Sequence, residues 1–184
     1  MRVQKLDIPD VQLLEPDVHG DQRGFFLEYF HAGKFQAQGL DLTLVQCNHS
    51  RSDQGVLRGL HYQLQQPQGK LVQVIRGAVF DVVVDIRQGS PTFGRWVGQL
   101  LSEENHHQLY VPPGLAHGFC VLSDSTDFLY FCTDLYRPDD EYGIAWDDPA
   151  LGIEWPGGPF SLSEKDRNNP TLADAGDFLP QYRG

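Results

Sequence analysis

Basic residues, sulfur and long apolar runs are all scarce in this chain, and each shortage closes off a class of protein. Lysine and arginine number 14 against 25 aspartates and glutamates, a net charge of −11. That argues against a nucleic-acid or anionic-membrane partner, since both are themselves negative. It leaves room for a small anionic ligand, whose pocket is governed by the few residues that line it. The three cysteines, Cys47, Cys120 and Cys132, include no C-x-x-C pair. They make no disulfide framework and fit a reducing cytoplasm. No stretch approaches the ~20 apolar residues of a membrane helix, and the N-terminal MRVQKLDIPD lacks the apolar core of a signal peptide. The expectation is a soluble, cytoplasmic protein. Its 184 residues have the length of one domain, enough to bury a core without a disulfide or metal.

What the chain does have is punctuation. Its 19 glycines and 12 prolines are spread throughout, as turn residues are, and not gathered into a linker. Between them lie β-branched and aromatic runs at Leu71–Ile75, Val79–Ile86, Trp96–Leu101, His117–Leu122 and Phe128–Thr133. In the second run Phe80, Val82, Val84 and Ile86 share one face while Asp81 and Asp85 share the other, the period of a strand. Those two aspartates could line an interior or meet solvent, and no role is assigned to them. Arg76-Gly77-Ala78 reads as a hairpin turn. Helix is expected only over His31–Gln38, with a turn over Ser102–Gln108 and another after Ser161, read as an N-cap with Glu164 three residues on. Many short strands in one domain predict an all-β antiparallel sandwich or barrel with a few short peripheral helices.

Two clusters carry chemically able side chains. The first is Gln46-Cys-Asn48-His49-Ser50-Arg51 followed by Val56-Leu-Arg58-Gly59-Leu-His61-Tyr62-Gln63. On a regular strand Arg58 and His61 point opposite ways, so both reach one site only if the strand bulges, and Gly59 is the place for it. His61 alone could equally be a hydrogen-bonded interior histidine. The second cluster, Tyr110-Val-Pro112-Pro-Gly114-Leu-Ala-His117, resembles the second motif of the cupins, small jelly-roll barrels with a site inside the barrel mouth. A cupin metal site also wants a second imidazole and a glutamate on earlier strands. Here Gln63 stands at the imidazole position and the next charge is the cation Lys70. That donor set does not suit a transition metal, so no metal is predicted. His106 and His107 are adjacent, diverge on a strand and are expected at the surface.

Taken together, Gly20-DQRGFFLE-Tyr29, Gln46-CNHS-Arg51, Val56-LRGLHYQ-Leu64, Gly69-KLVQVIRGAVFDVVVDIRQGSPTFGRWVG-Gln99, Tyr110-VPPGLAHGF-Cys120, Phe128-LYFCTDLYRPDDE-Tyr142, Gly152-IEW-Pro156 and Leu162-SEKD-Arg167 resemble, in order and over nearly the whole chain, the dTDP-4-dehydrorhamnose 3,5-epimerase family. The resemblance implies a jelly-roll (cupin) barrel that needs no cofactor and inverts C3 and C5 of a dTDP-4-keto-6-deoxy sugar. By position it implies His61 as proton acceptor with Asp166 behind it, Tyr130 as proton donor on the other sugar face, and Lys70 beside the C4 oxygen. Arg23, Glu28, Gln46, Asn48, Arg58, His117, Glu141 and Lys165 match positions that bind the sugar nucleotide. It further implies a homodimer in which the segment of about residues 1–30, with Arg23 and Glu28, crosses to the partner. No role attaches to Cys47.

The chemistry accounts for these residue types. Both C3–H and C5–H lie α to one carbonyl, and removing either proton places charge on the C4 oxygen. Imidazole suits the base, with an unperturbed pKa of ~6.5. An aspartate on its other nitrogen fixes the tautomer, a phenol of pKa ~10 still holds the proton it must deliver, and a cation meets the developing enolate. Guanidinium groups at Arg23 and Arg58 grip a diphosphate. Other readings stand beside these. Arg23 and Arg58 could be surface ion-pair partners, Tyr130 a core aromatic, and Asp166 a solvated partner of Lys165. At the level of function the alternatives are an epimerase acting at one carbon, a metal-dependent cupin, and a non-catalytic carbohydrate-binding sandwich.

Overall fold

The computed structural model describes residues 1–183. Its strands are β1 (Arg2–Lys5), β2 (Gln12–Glu15), β3 (Val18–Asp21), β4 (Gly24–Leu27), β5 (Gln46–Asp53), β6 (Leu57–Gln63), β7 (Lys70–Arg76), β8 (Ala78–Asp85), β9 (Trp96–Ser102), β10 (Gln108–Val111), β11 (Leu115–Val121), β12 (Ser125–Cys132) and β13 (Glu141–Gly143). Two short helices, α1 (Ala32–Ala37) and α2 (Glu164–Arg167), lie outside them. A six-stranded sheet runs β1-β2-β10-β7-β12-β5 and a five-stranded sheet β13-β6-β11-β8-β9; β3 and β4 form a separate two-stranded ribbon. Every pairing within them is antiparallel. This is the expected all-β jelly-roll barrel.

Alternation on the strands builds three apolar layers. Val72 and Val74 of β7, Leu109 and Val111 of β10 and Phe128 of β12 face Val79 and Val83 of β8 and Phe119 and Val121 of β11 between the sheets. On the outer face of the five-stranded sheet, Val82, Val84 and Ile86 are covered by Leu151, Leu172, Ala175 and Leu179 of the C-terminal segment. On the outer face of the six-stranded sheet, Leu14 and Leu71 are covered by Phe35 of α1 and Leu40. Burial of each such side chain is worth about 1.5–3 kcal/mol. Strand β8 is therefore buried on both faces, and Asp81 and Asp85 lie inside at 0% exposure.

Local differences from expectation have local causes. Gly77 is a corner and not a hairpin turn: β7 and β8 belong to different sheets, and Gly77 at φ +83° passes the chain from one to the other. A Cβ there would lie 2.3 Å from the Ser125 carbonyl oxygen, so the corner admits only glycine. The N-cap near residue 161 is Ser163, whose hydroxyl accepts the Asp166 N–H. Ser161 is held instead in a parallel bridge to Val56. Helix α1 falls where expected, capped by His31. Over 102–108 the turn is tied by Asn105, whose Oδ1 accepts from the Ser102 and His107 N–H groups. His106 and His107, expected at the surface, are half-buried, the His106 ring packing on Phe25 at 4.7 Å.

Candidate active site

One end of the space between the sheets is left open as a cavity of about 480 Å³. Three strands of the six-stranded sheet supply one wall. Asn48 and Tyr130 are direct cross-strand partners, as are Gln46 and Cys132, and Lys70 pairs with Cys132 from the other side. The period of two then turns Gln46, Asn48, Lys70 and Tyr130 to the same face. The five-stranded sheet supplies the facing wall with Arg58, His61 and His117. His61 and His117 are partners across β6 and β11.

The bulge at Gly59 makes that wall. β6 takes the steps from Arg58 to His61 while β11 goes only from Phe119 to His117, so one extra residue turns Arg58 and His61 inward together. The backbones touch where it happens. A Cβ on Gly59, which has φ +120°, would lie 2.5 Å from the Gly118 Cα, and one on Gly118 would lie 2.6 Å from the Arg58 carbonyl oxygen. Both positions require glycine for close approach.

The side chains are held from behind. Asp166, the one buried residue of α2, places Oδ1 2.5 Å from His61 Nε2. Burial pushes the Asp166 carboxyl up, but the His61 hydrogen bond and charge, Ser163 and the Gly59 N–H outweigh it and hold it below the usual 3.8. With Nε2–H given to Asp166, Nδ1 of His61 has no protein partner among the described residues and keeps its lone pair for the cavity. Burial pushes the Tyr130 phenol above 10.0, reinforced by Cys132 and Glu141 nearby and opposed by Arg58. Tyr130 thus keeps its proton at neutral pH. Burial pushes the Lys70 ammonium below 10.5, against the pull of Cys132, Glu141 and Asp81. Arg58 donates Nε–H to Ser52 Oγ at 3.1 Å, which orients its guanidinium. At the rim Lys165 donates to Glu141, which also accepts from the Tyr136 hydroxyl at 3.0 Å.

The structure thus brings ten of the twelve expected site residues to one cavity: Gln46, Asn48, Arg58, His61, Lys70, His117, Tyr130, Glu141, Lys165 and Asp166. Arg23 and Glu28 are not among them. Arg23 is on the β3–β4 turn, 84% exposed and bound to Asp21, and Glu28 pairs with Lys34. Ser50, Gln68, Tyr136 and Ser163 line the cavity as well. Asp81 also escaped the sequence reading: both its oxygens lie 2.9 Å from His117 Nε2. The signal was present, since Asp81 shares parity with the inward Val79 and Val83.

Gln63, at the second imidazole position of a metal cupin, does not reach the cavity. Its amide donates to the Gln66 and Leu135 carbonyls and accepts the Arg137 N–H. Asp140 completes this seam by accepting the N–H groups of Leu64, Gln65 and Gln66. With Nε2 of His61 and His117 both engaged by aspartates and an ammonium between the walls, the donor set does not fit a metal ion.

Comparison with known proteins agrees with this construction. The family model described as dTDP-4-dehydrorhamnose 3,5-epimerase matches residues 5–174. A dTDP-4-dehydrorhamnose 3,5-epimerase of Pseudomonas aeruginosa is 55% identical over 97% of this chain and 99% of its own. The crystal structure of a dTDP-6-deoxy-D-glucose-3,5-epimerase from Legionella pneumophila, in complex with dTDP-4-keto-L-rhamnose, superposes with a TM-score of 0.97 at 50% identity, covering 100% of this chain and 99% of that one. A 3'-monoepimerase from Streptomyces bikiniensis, in complex with dTDP-quinovose, superposes at 0.92 with 40% identity, covering 97% and 92%. The fold and these matches define a cupin-like jelly-roll isomerase. Within that class the chain belongs to the dTDP-4-dehydrorhamnose 3,5-epimerase family.

Proposed function

We propose that this chain inverts C3 and C5 of dTDP-4-dehydro-6-deoxy-D-glucose, giving dTDP-4-dehydro-L-rhamnose, with His61 as base and Tyr130 as acid. The observation that carries the assignment is their placement on opposite walls of one cavity, His61 on β6 of the five-stranded sheet and Tyr130 on β12 of the six-stranded sheet. A sugar between them meets a base on one face and an acid on the other. His61 Nδ1 takes the proton from C5 or C3. The C–H electrons form a carbon–carbon double bond, and the C4 carbonyl electrons move to oxygen as an enolate. Lys70 meets that charge from the cavity wall, a cation aimed at the point where charge develops. The enolate collapses, and Tyr130 gives its proton to the opposite face of the same carbon. His61 and Tyr130 then return to their starting states by exchange with solvent. His61, once protonated, is stabilised by the Asp166 carboxylate. Arg58 suits the diphosphate, and Gln46, Asn48, His117, Glu141 and Lys165 hold the rest of the ligand.

Arg23 and Glu28 act in this reading from the partner of a homodimer. The ribbon that carries Arg23 exposes Phe25 at 60% and Phe26 at 69%, apolar surface that a second copy would cover. Mixing Arg23→Ala with His61→Ala subunits should restore about a quarter of wild-type activity, because half the sites of each heterodimer are whole. No recovery after subunit exchange would place Arg23 outside the shared site. The three cysteines are unpaired thiols, which supports a reducing cytoplasm as the working compartment.

The test of the activity is proton NMR of protein and substrate in deuterated water, with and without chelator. Loss of both the C3 and C5 signals, insensitive to chelator and abolished by His61→Ala, supports the double epimerase. A second reading, inversion at one carbon, is favoured by the fold-level match to the 3'-monoepimerase and would show as exchange at one carbon alone. No exchange at either carbon would overturn both.

A further inference from the structure

His61 and His117 stand side by side on one wall of the cavity as cross-strand partners, and each is held at Nε2 by a buried aspartate. The first pair belongs to the reaction above. In the second, His117 belongs to the ligand-binding set and Asp81 has had no role. Asp81 is 0% exposed, and among the described residues its carboxylate has a single hydrogen-bond partner, His117. Its neighbours on the same face of β8, Val79 and Val83, belong to the inner apolar layer. A valine or leucine at position 81 would suit that layer and avoid burying a charge. The carboxylate therefore has a use other than packing.

His117 lines the cavity while its Nε2 faces Asp81, and Nδ1 has no protein partner among the described residues. A carboxylate can only accept, so it holds the imidazole with hydrogen on Nε2 and a bare lone pair on Nδ1. An acceptor fixed at that point matches a sugar hydroxyl and repels phosphate or carbonyl oxygen. The charged and titratable groups around Lys70 are Tyr130 and Cys132 on β12, Glu141 on β13, His61 and Arg58 on β6, His117 on β11 and Asp81 on β8. Of the carboxylates at the cavity, Asp166 is engaged by His61 and Glu141 by Lys165. Asp81 is left as the inner countercharge.

We infer that Asp81 is a positioning residue of the epimerisation, fixing His117 in the Nε2–H tautomer as acceptor for a hydroxyl of the bound sugar and supplying the negative charge that keeps Lys70 an ammonium ion. This rests on the epimerase reading for its consequence in catalysis, but not for the tautomer. Burial raises the Asp81 carboxyl above its ordinary 3.8 although His117 and Lys70 pull it down, so its ionic form depends on those two partners.

The first test uses the ¹⁵N-histidine-labelled wild-type protein without substrate. Long-range proton–nitrogen NMR should show His117 protonated at Nε2, and a proton on Nδ1 would overturn the proposal whatever reaction the protein performs. The second compares Asp81→Asn with wild type in the deuterium-exchange assay, with a melting curve on each. An asparagine can turn its amide to Nε2 and switch the tautomer, so kcat/KM should fall about 10- to 100-fold. The alkaline limb of the pH profile should move to lower pH as Lys70 loses its countercharge, and Lys70→Arg in the same background should abolish that limb. A variant that melts lower but keeps the His117 tautomer, the pH limb and kcat/KM within about twofold would show a merely structural aspartate. If Asp81→Asn does not fold, the wild-type tautomer decides. Absence of exchange by wild type itself would refute the epimerase reading while leaving the tautomer result intact.

Discussion

Replacing Asp166 by asparagine removes one charge and almost no volume, and the structure says where the loss falls. The carboxylate is 4% exposed and accepts from His61 Nε2 at 2.5 Å, with the Gly59 N–H also directed at it. An asparagine can keep its oxygen on the Gly59 N–H only by presenting its NH₂ to His61. A donor then meets a donor, and His61 resolves the conflict by moving its proton to Nδ1. The base is blocked at the atom that must take the substrate proton, although every side chain stays in place. Loss of a positioned general base costs about 10²- to 10⁴-fold, or about 3–5 kcal/mol of barrier. The assay is the initial rate of C3 and C5 proton loss by NMR in deuterated water at saturating substrate, and both rates should fall together because one base serves both carbons. Retention of either rate within about fivefold of wild type would refute the reasoning.

Further outcomes follow from other parts of the molecule. Tyr130→Phe should lower inversion by at least about 100-fold while leaving slow deuterium exchange with retained configuration, since His61 can return a solvent-derived deuteron to its own face; chiral analysis of the recovered sugar checks this. Gly118→Ala would drive a methyl group against the Arg58 carbonyl oxygen at 2.6 Å and Leu60 Cδ2 at 3.2 Å. It should cost about 1–3 kcal/mol, a melting-temperature drop of about 2–12 °C, with a larger relative loss of activity because Arg58 and His61 move with that strand. Asp127 is held near a pKa of about 2 by hydrogen bonds from Arg51 and then His49, below its ordinary 3.8. The stability it contributes is therefore full above pH 3.8 and is lost as pH falls toward 2. Asp127→Asn should flatten that part of the curve of melting temperature against pH.

Strand period and glycine position made much of this architecture legible in the sequence. The run over 79–86 became β8, and the need to turn Arg58 and His61 to one side located the bulge at Gly59. What could not be read was pairing. Gly77 looks like a hairpin turn because two apolar strands flank it, and only the sheet order reveals that those strands part company there. Asp81 was ambiguous for a related reason: alternation separates two faces of a strand but does not say that both are buried. Its partner, His117, is 36 residues away in the chain, a distance no local pattern spans. Residues such as Gln63 point the other way. On a regular strand Gln63 would share the face of His61, yet its amide is spent on backbone groups of two loops.

The seam that Gln63 and Asp140 make between the chain segments at 64–66 and 135–140 bears on how ligand comes and goes. These segments flank the cavity mouth at Tyr136, and each backbone group in the seam is already satisfied without ligand. The seam is thus formed before the first encounter, and binding does not have to build it. Entry should then be limited by diffusion and by the attraction of a dianionic ligand to the cations of the cavity. Differences in affinity among related sugar nucleotides would appear in how long each one stays.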